Sequence, residues 1–387
     1  MEQGADINTL GRKGSTLLHV AAKGGSDLIV NDLIDRDLQV NVKDMFSMTP
    51  LHYAAKYGRL SVVKVLVENG AEINNRTRLE ETPLNLAQKG GFKEVSDYLI
   101  SKGAKQGLAE YTKVKGVYFG QREPGSKPEI FAPGIVTNIN NGHSNVTFSP
   151  DGSKALWTEW NENESGYPDG CKILYSKIEN GFWKIPEIVV KRGDVPIFSV
   201  DGTRVYFRAT TQQASGQFID EIQYFESNNI ALGSAKTLQF DLTSSGLYWQ
   251  FSFDKDENIY FASNNRLFKS QNEEGEYLPS EDLSKIYNPE YAEGSPFISK
   301  NGDYIIFSTR NTQGDIDLFI GYRKKDGSWT KPVNLGPEIN TSKNEYLPIV
   351  TGDGKYLFFV SNREEGDFLR FWVSARIIDE LRPRELK

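Results

Sequence analysis

His143, Glu293 and Glu345 are the residues of this chain best spaced to do chemistry together, because each stands three residues before a short apolar segment of one recurrent shape. If those segments gather around one axis, an imidazole and two carboxylates meet at a single mouth, where they could hold a cation or a polar ligand, or share protons. The simpler reading, which the sequence favours, is that Glu293 and Glu345 bond to the backbone of the adjacent unit. A second group of carboxylates, Glu159, Glu162 and Glu164, invites comparison with the acid/base pairs of glycoside hydrolysis, and Trp157 and Trp160 beside them with a sugar-stacking platform. Their place between an aromatic strand and Gly166-Tyr167-Pro168-Asp169-Gly170 marks instead a solvated loop between strands, and strands carry tryptophan for packing just as often as for sugar stacking.

Other chemistries lack their residues. Cys171 is the only cysteine, so neither an intrachain disulfide nor a cysteine-based zinc site can form. His19, His52 and His143 are the only histidines. There is no Gly-x-Ser-x-Gly elbow, phosphate loop, Rossmann glycine pattern or His-Glu-x-x-His motif, so the sequence assigns no catalytic residue, no cofactor and no resident metal, and implies a protein that is not an enzyme. The 387 residues carry a net charge of −7. That charge is uneven: residues 1–105 hold 14 Lys and Arg against 13 Asp and Glu, and the remainder is net acidic, a poor match for nucleic acid. A hydrophobic content of 38% excludes wholesale disorder, and no apolar run is long enough to span a membrane.

Two sets of elements must position these residues. In the first, Thr16-Leu17-Leu18-His19, Thr49-Pro50-Leu51-His52 and Thr82-Pro83-Leu84-Asn85 recur every 33 residues, and Asp6-Ile7-Asn8, Gln39-Val40-Asn41 and Glu72-Ile73-Asn74 keep the same interval. Thr49 can cap a helix whose first turn holds Pro50. Val62, Val63, Leu66 and Val67 form a helical stripe that needs a stacked neighbour. Residues 1–105 resemble the ankyrin repeat, with Leu17 in place of its proline, Asn85 in place of its histidine, and Lys105-Gln106 ending the third unit without the usual coda. Met1 to Asn8 reads as the tail of an earlier unit, so the chain is expected to begin inside a longer protein.

The resemblance implies that His19 and His52 hydrogen-bond neighbouring turns, and that turn tips and first helices line a concave binding face. On that face it places Arg12 and Lys13, then Met45, Phe46 and Met48, then Arg78 and Leu79, with Tyr57, Lys23, Lys56 and Lys89 from the helices. Met45, Phe46 and Met48 are unusual at a turn tip and suit an adaptable contact, or else pack inside the protein. The lysines and arginines make the face basic, which favours an acidic protein partner or the acidic remainder of the chain itself.

After a linker at 106–110 the pattern changes. Five segments share one shape: Val146–Gly152, Pro196–Gly202, Trp249–Asp254, Pro296–Gly302 and Pro348–Gly354. Each is followed by an aromatic strand, and their turn residues Asp151, Asp201, Asp254, Asn301 and Asp353 advance by 50, 53, 47 and 52. Tight Asp-Gly hairpins and strands at this interval predict one four-stranded blade per repeat. Residues 111–387 resemble the TolB-like, WD-type β-propeller, which implies a ring, here of five blades with six as the alternative, closed when the N-terminal strand completes the last blade. The fold class is therefore a helical solenoid followed by an all-β propeller. Its two recognition surfaces imply a scaffold protein that binds a protein partner, with a carbohydrate-binding propeller as the alternative. Ankyrin repeats suit the cytoplasm, whereas the propeller resemblance leans toward bacterial periplasmic or secreted proteins.

Overall fold

A computed structural model describes residues 7, 9–11, 14–77, 81–105, 114–132, 135–137, 144–160, 171–212, 218–240, 248–283, 292–364 and 367–387. The chain divides into two compact units that meet in sequence at Val114 and Lys115. Among the described residues no helix is long and apolar enough to cross a membrane.

The first unit is three helix pairs: α1 (Leu17–Gly24) with α2 (Asp27–Asp35), α3 (Pro50–Lys56) with α4 (Leu60–Glu68), and α5 (Pro83–Lys89) with α6 (Lys93–Ser101). Thr16, Thr49 and Thr82 stand at the three N-caps in extended backbone, each in a capping box with the residue three positions on. First helices stack on first helices and second on second. Ala22, Ala54, Ala55 and Ala87, all fully buried, allow that close approach, while Val30, Val62, Val63 and Leu66 fill the interior at the same exposure of 0%.

His52 ties one repeat to the next. Its Nδ1 accepts the Thr49 N–H at 3.0 Å and pairs with the Thr49 hydroxyl at 2.9 Å, which leaves the proton on Nε2, 3.3 Å from the Glu81 carbonyl of the following unit. His19 repeats the arrangement with Thr16 and the Met48 carbonyl. Asn85 repeats the first half, its Oδ1 accepting the Thr82 N–H at 2.9 Å.

Burial lowers the His52 pKa from 6.5 to about 4, and lowers that of His19 as well. A histidine held neutral in the fold takes up its proton first in the unfolded chain. Its stabilisation is therefore complete above pH 6.5 and is lost as pH falls toward 4. The unit is expected to lose about 2–3 kcal/mol from His52 between pH 7 and pH 4.5. Urea unfolding followed across that range checks it: His52→Asn, the residue nature uses in the third repeat, should be less stable at pH 7 and show a flatter acid limb.

The second unit is five antiparallel sheets. Its first strand is β1 (Glu129–Ile130), after a 3-10 turn at Val117–Gly120. Blade 1 holds β2 (Val146–Phe148), β3 (Lys154–Trp160) and β4 (Cys171–Glu179), with β5 (Phe182–Trp183) and β6 (Glu187–Val190) both pairing β4. Blade 2 is β7 (Gly193–Phe198), β8 (Arg204–Gln212), β9 (Phe218–Glu226) and β10 (Lys236–Thr237). Blade 3 is β11 (Tyr248–Phe253), β12 (Ile259–Ser263), β13 (Arg266–Ser270) and β16 (Glu281–Asp282), interrupted by the small hairpin β14 (Asn272–Glu273) and β15 (Glu276–Tyr277). Blade 4 is β17 (Ala292–Ile298), β18 (Tyr304–Arg310), β19 (Ile316–Tyr322) and β20 (Val333–Asn334). Blade 5 is β21 (Glu345–Val350), β22 (Tyr356–Glu364) and β23 (Asp367–Ser374), and its outer strand is β1, with Glu129 opposite Trp372. The arrangement is a five-bladed propeller, so the six-bladed alternative falls away. A short helix, α7 (Arg376–Glu380), follows blade 5.

The structure shifts the reading of blade 3 by two residues. Asp254 occupies the position of Ser149, Ser199, Ser299 and Thr351: each of these N–H groups bonds across its turn, to Asn258, Lys154, Arg204, Tyr304 and Tyr356 carbonyls respectively. The blade 3 turn is one residue shorter than the others, and Glu257, at φ 56°, takes the left-handed backbone that Gly152, Gly202, Gly302 and Gly354 supply elsewhere.

Candidate functional site

On the ankyrin unit, Asp44 organises the second turn tip. Its Oδ1 accepts the N–H groups of Phe46 and Met48, both at 2.9 Å, and its Oδ2 accepts the Tyr53 hydroxyl at 2.7 Å. Burial, with Asp44 second, pushes the Tyr53 phenol well above its usual range. These bonds curl the tip back on its own repeat, so Phe46, expected as an exposed contact, is only 3% exposed. Met45 and Met48 are half-buried. Arg12, Lys13, Arg78 and Leu79 lie outside the described residues, as does the side chain of Lys89.

Two lysines of the first helices, expected on the concave face, gather at Tyr57. Lys23 Nζ is 5.3 Å and Lys56 Nζ 5.9 Å from its ring centroid, and neither lysine has an ion-pair partner among the described residues. Both sit in the last turn of a first helix, where a cation complements the helix dipole. Arg59 adds a third cation, its Nε donating to the Lys23 carbonyl at 3.1 Å. The ring attracts both ammonium groups, and their mutual repulsion is left without a counter-charge.

Of the trio expected at the propeller mouth, only Glu345 has a described side chain. His143 lies outside the described residues, and so does the side chain of Glu293. Glu345 is fully buried and already occupied: it accepts the Thr341 N–H at 3.0 Å, the Thr341 hydroxyl at 2.9 Å, the Ser361 hydroxyl at 2.8 Å and Arg363 at 3.3 Å. Its partners belong to its own entry loop and to β22, not to a neighbouring blade. Burial raises the Glu345 pKa, and these donors oppose the shift. Among the described residues no three His, Cys, Asp or Glu gather as metal ligands.

Other residues, not anticipated from sequence, occupy the axis. The inner strands of blades 2, 4 and 5 bulge just before a proline, with Val195, Ser295 and Leu347 at φ between 46° and 56°. The bulges turn carbonyls toward the axis. Gln250 Nε2 donates to Pro296 O of blade 4 at 3.3 Å and to Pro348 O of blade 5 at 2.8 Å, crossing from blade 3 to a blade that is not its neighbour. Asn145 Nδ2 donates to Leu347 O at 2.6 Å. Two amides thus plug the ring, Gln250 tying it across and Asn145 joining blade 1 to blade 5.

Two buried cations brace the blades. Arg370 on β23 donates to the carbonyls of Ser144, Val136 and Thr158, joining blade 5 to blade 1. Arg208 forms a two-pronged pair with Asp194, at 3.1 and 2.8 Å. Arg370 carried a sequence signal, a lone charge within Phe368-Leu369-Arg370-Phe371-Trp372-Val373. Trp157 is fully buried, which removes it as a sugar platform, and Glu162 and Glu164 lie outside the described residues.

The family model of ankyrin repeats matches residues 1–77, in three copies. The pair α5–α6 beyond that span continues the same stacking. No curated protein matches the chain. The N-terminal unit is an ankyrin-repeat stack and the larger unit a five-bladed β-propeller, two folds of the protein-interaction class.

Proposed function

We propose that the protein is a non-enzymatic interaction protein whose concave ankyrin face takes an acidic segment of a protein partner. The observation that carries this reading is the pair of lysines with no ion-pair partner among the described residues, Lys23 and Lys56, both close to the Tyr57 ring. Glutamate or aspartate side chains of a bound segment would neutralise the lysines, and an apolar or aromatic residue between them would rest on the Tyr57 ring. Met45 and Met48 belong to the same proposed face, and the ankyrin resemblance would add Arg12, Lys13, Arg78, Leu79 and Lys89 to it.

Probing an array of acidic peptides and their Glu→Gln counterparts with the whole protein tests the reading. The acidic members should bind, their amide counterparts should not, and Lys23→Glu/Lys56→Glu should abolish the distinction. Equal capture of charged and neutral peptides would exclude an acidic partner.

A further inference from the structure

The inner strands end, on the side of the tight turns, around a blind axial cup of about 280 Å³. Phe148, Phe198, Phe253 and Phe297 line it with Ile197 and Ile349, at exposures from 5% for Phe253 to 9% for Phe297, whereas Val205 and Phe207 on the next strand are at 0%. That small residual exposure belongs to side chains bordering a cavity. The deep end meets the amide plug, since Ile197 and Ile349 border both.

Two charged residues line the mouth, Lys300 and Asp303. Asp303 is engaged by the Ser299 hydroxyl at 2.6 Å and by Arg382 at 2.9 Å. Lys300 is exposed, and its ammonium has no partner among the described residues. The turn carboxylates of Asp151, Asp201 and Asp353 accept from Ser149, Ser199 and Thr351 and do not line the cup.

A pocket with aromatic and aliphatic walls, polar side chains such as Thr147, Asn301 and Thr351 among them, and at its lip an ammonium with no partner among the described residues, is complementary to an apolar body that ends in one negative charge. Burial of the body supplies affinity, and the anion stays at the lip, where a charge-assisted hydrogen bond fixes orientation. Aromatic walls favour a planar ring through edge-to-face contacts. The volume, just below that of sites for drug-sized ligands, limits the guest to one or two rings. We propose that this cup binds a small aromatic carboxylate, its ring between the inner strands and its carboxylate on Lys300. The proposal goes beyond the ankyrin-face reading and stands apart from it.

The test titrates 2-naphthoate and neutral 2-naphthamide into the whole protein, followed by ligand-observed NMR and by melting temperature. Naphthoate should bind saturably, raise the melting temperature and bind about tenfold more tightly than the amide. Lys300→Gln should melt as the parent does and bind the two compounds alike. Absence of saturation with naphthoate, equal affinity of the parent for both compounds, or a preference that survives Lys300→Gln would each overturn the proposal.

Discussion

Arg370→Ala is expected to lower the stability of the propeller by about 3–5 kcal/mol. The guanidinium is fully buried and donates to three backbone carbonyls, those of Ser144, Val136 and Thr158. Burial pulls its pKa down to about 10, so it remains charged at neutral pH. Removing it leaves a void and three carbonyls that lose a charged donor, each costing more than an ordinary hydrogen bond contributes. Arg370→Lys should recover little, because a single ammonium cannot reproduce the planar fork. Urea unfolding followed by the fluorescence of the buried Trp157, Trp183 and Trp372 measures the loss; a cost below about 1 kcal/mol would show that the ring does not depend on this latch.

Arg208→Ala should cost a similar 3–5 kcal/mol at neutral pH, and its pH dependence should identify the cause. Asp194 is buried beside it, and burial raises its carboxyl pKa against the opposing pull of Arg208. Without the guanidinium that opposition disappears and the carboxyl rises further. A carboxyl raised in the fold stabilises while protonated, below the unfolded value of 3.8, and loses that contribution as pH climbs through its folded value. The deficit of Arg208→Ala relative to the parent should therefore shrink in acid. A pH-independent deficit would point to lost packing instead, and Arg208→Ala/Asp194→Asn should be less damaged at pH 7 than the single variant.

Much of this architecture was legible because each repeat states its own local physics. Thr16, Thr49 and Thr82 announce helix starts within a few residues, and Asp-Gly pairs announce hairpins, so period alone separated a helical solenoid from a five-bladed ring. Blade 3 was read two residues out of register because Glu257 holds a left-handed position that glycine marks in the other blades. The axial plug was illegible for a different reason: Gln250 and Asn145 act on carbonyls 98 and 202 residues away, and only ring closure brings them together. Phe46 looked exposed because a turn tip is ordinarily solvated, and the Asp44 bonds that fold it inward leave no trace in hydrophobic pattern. Arg370 could have been found, since a charge inside an apolar strand must be paired or hydrogen-bonded.

The most direct test of the interaction role is a fluorescence-anisotropy titration of the tightest array peptide into the whole protein, at low and at physiological salt. The parent should bind more weakly as salt rises, and Lys23→Glu/Lys56→Glu should weaken binding by about tenfold at low salt without lowering the melting temperature. An affinity indifferent to salt and to both substitutions would contradict the assignment of the ankyrin face as the acidic-segment site.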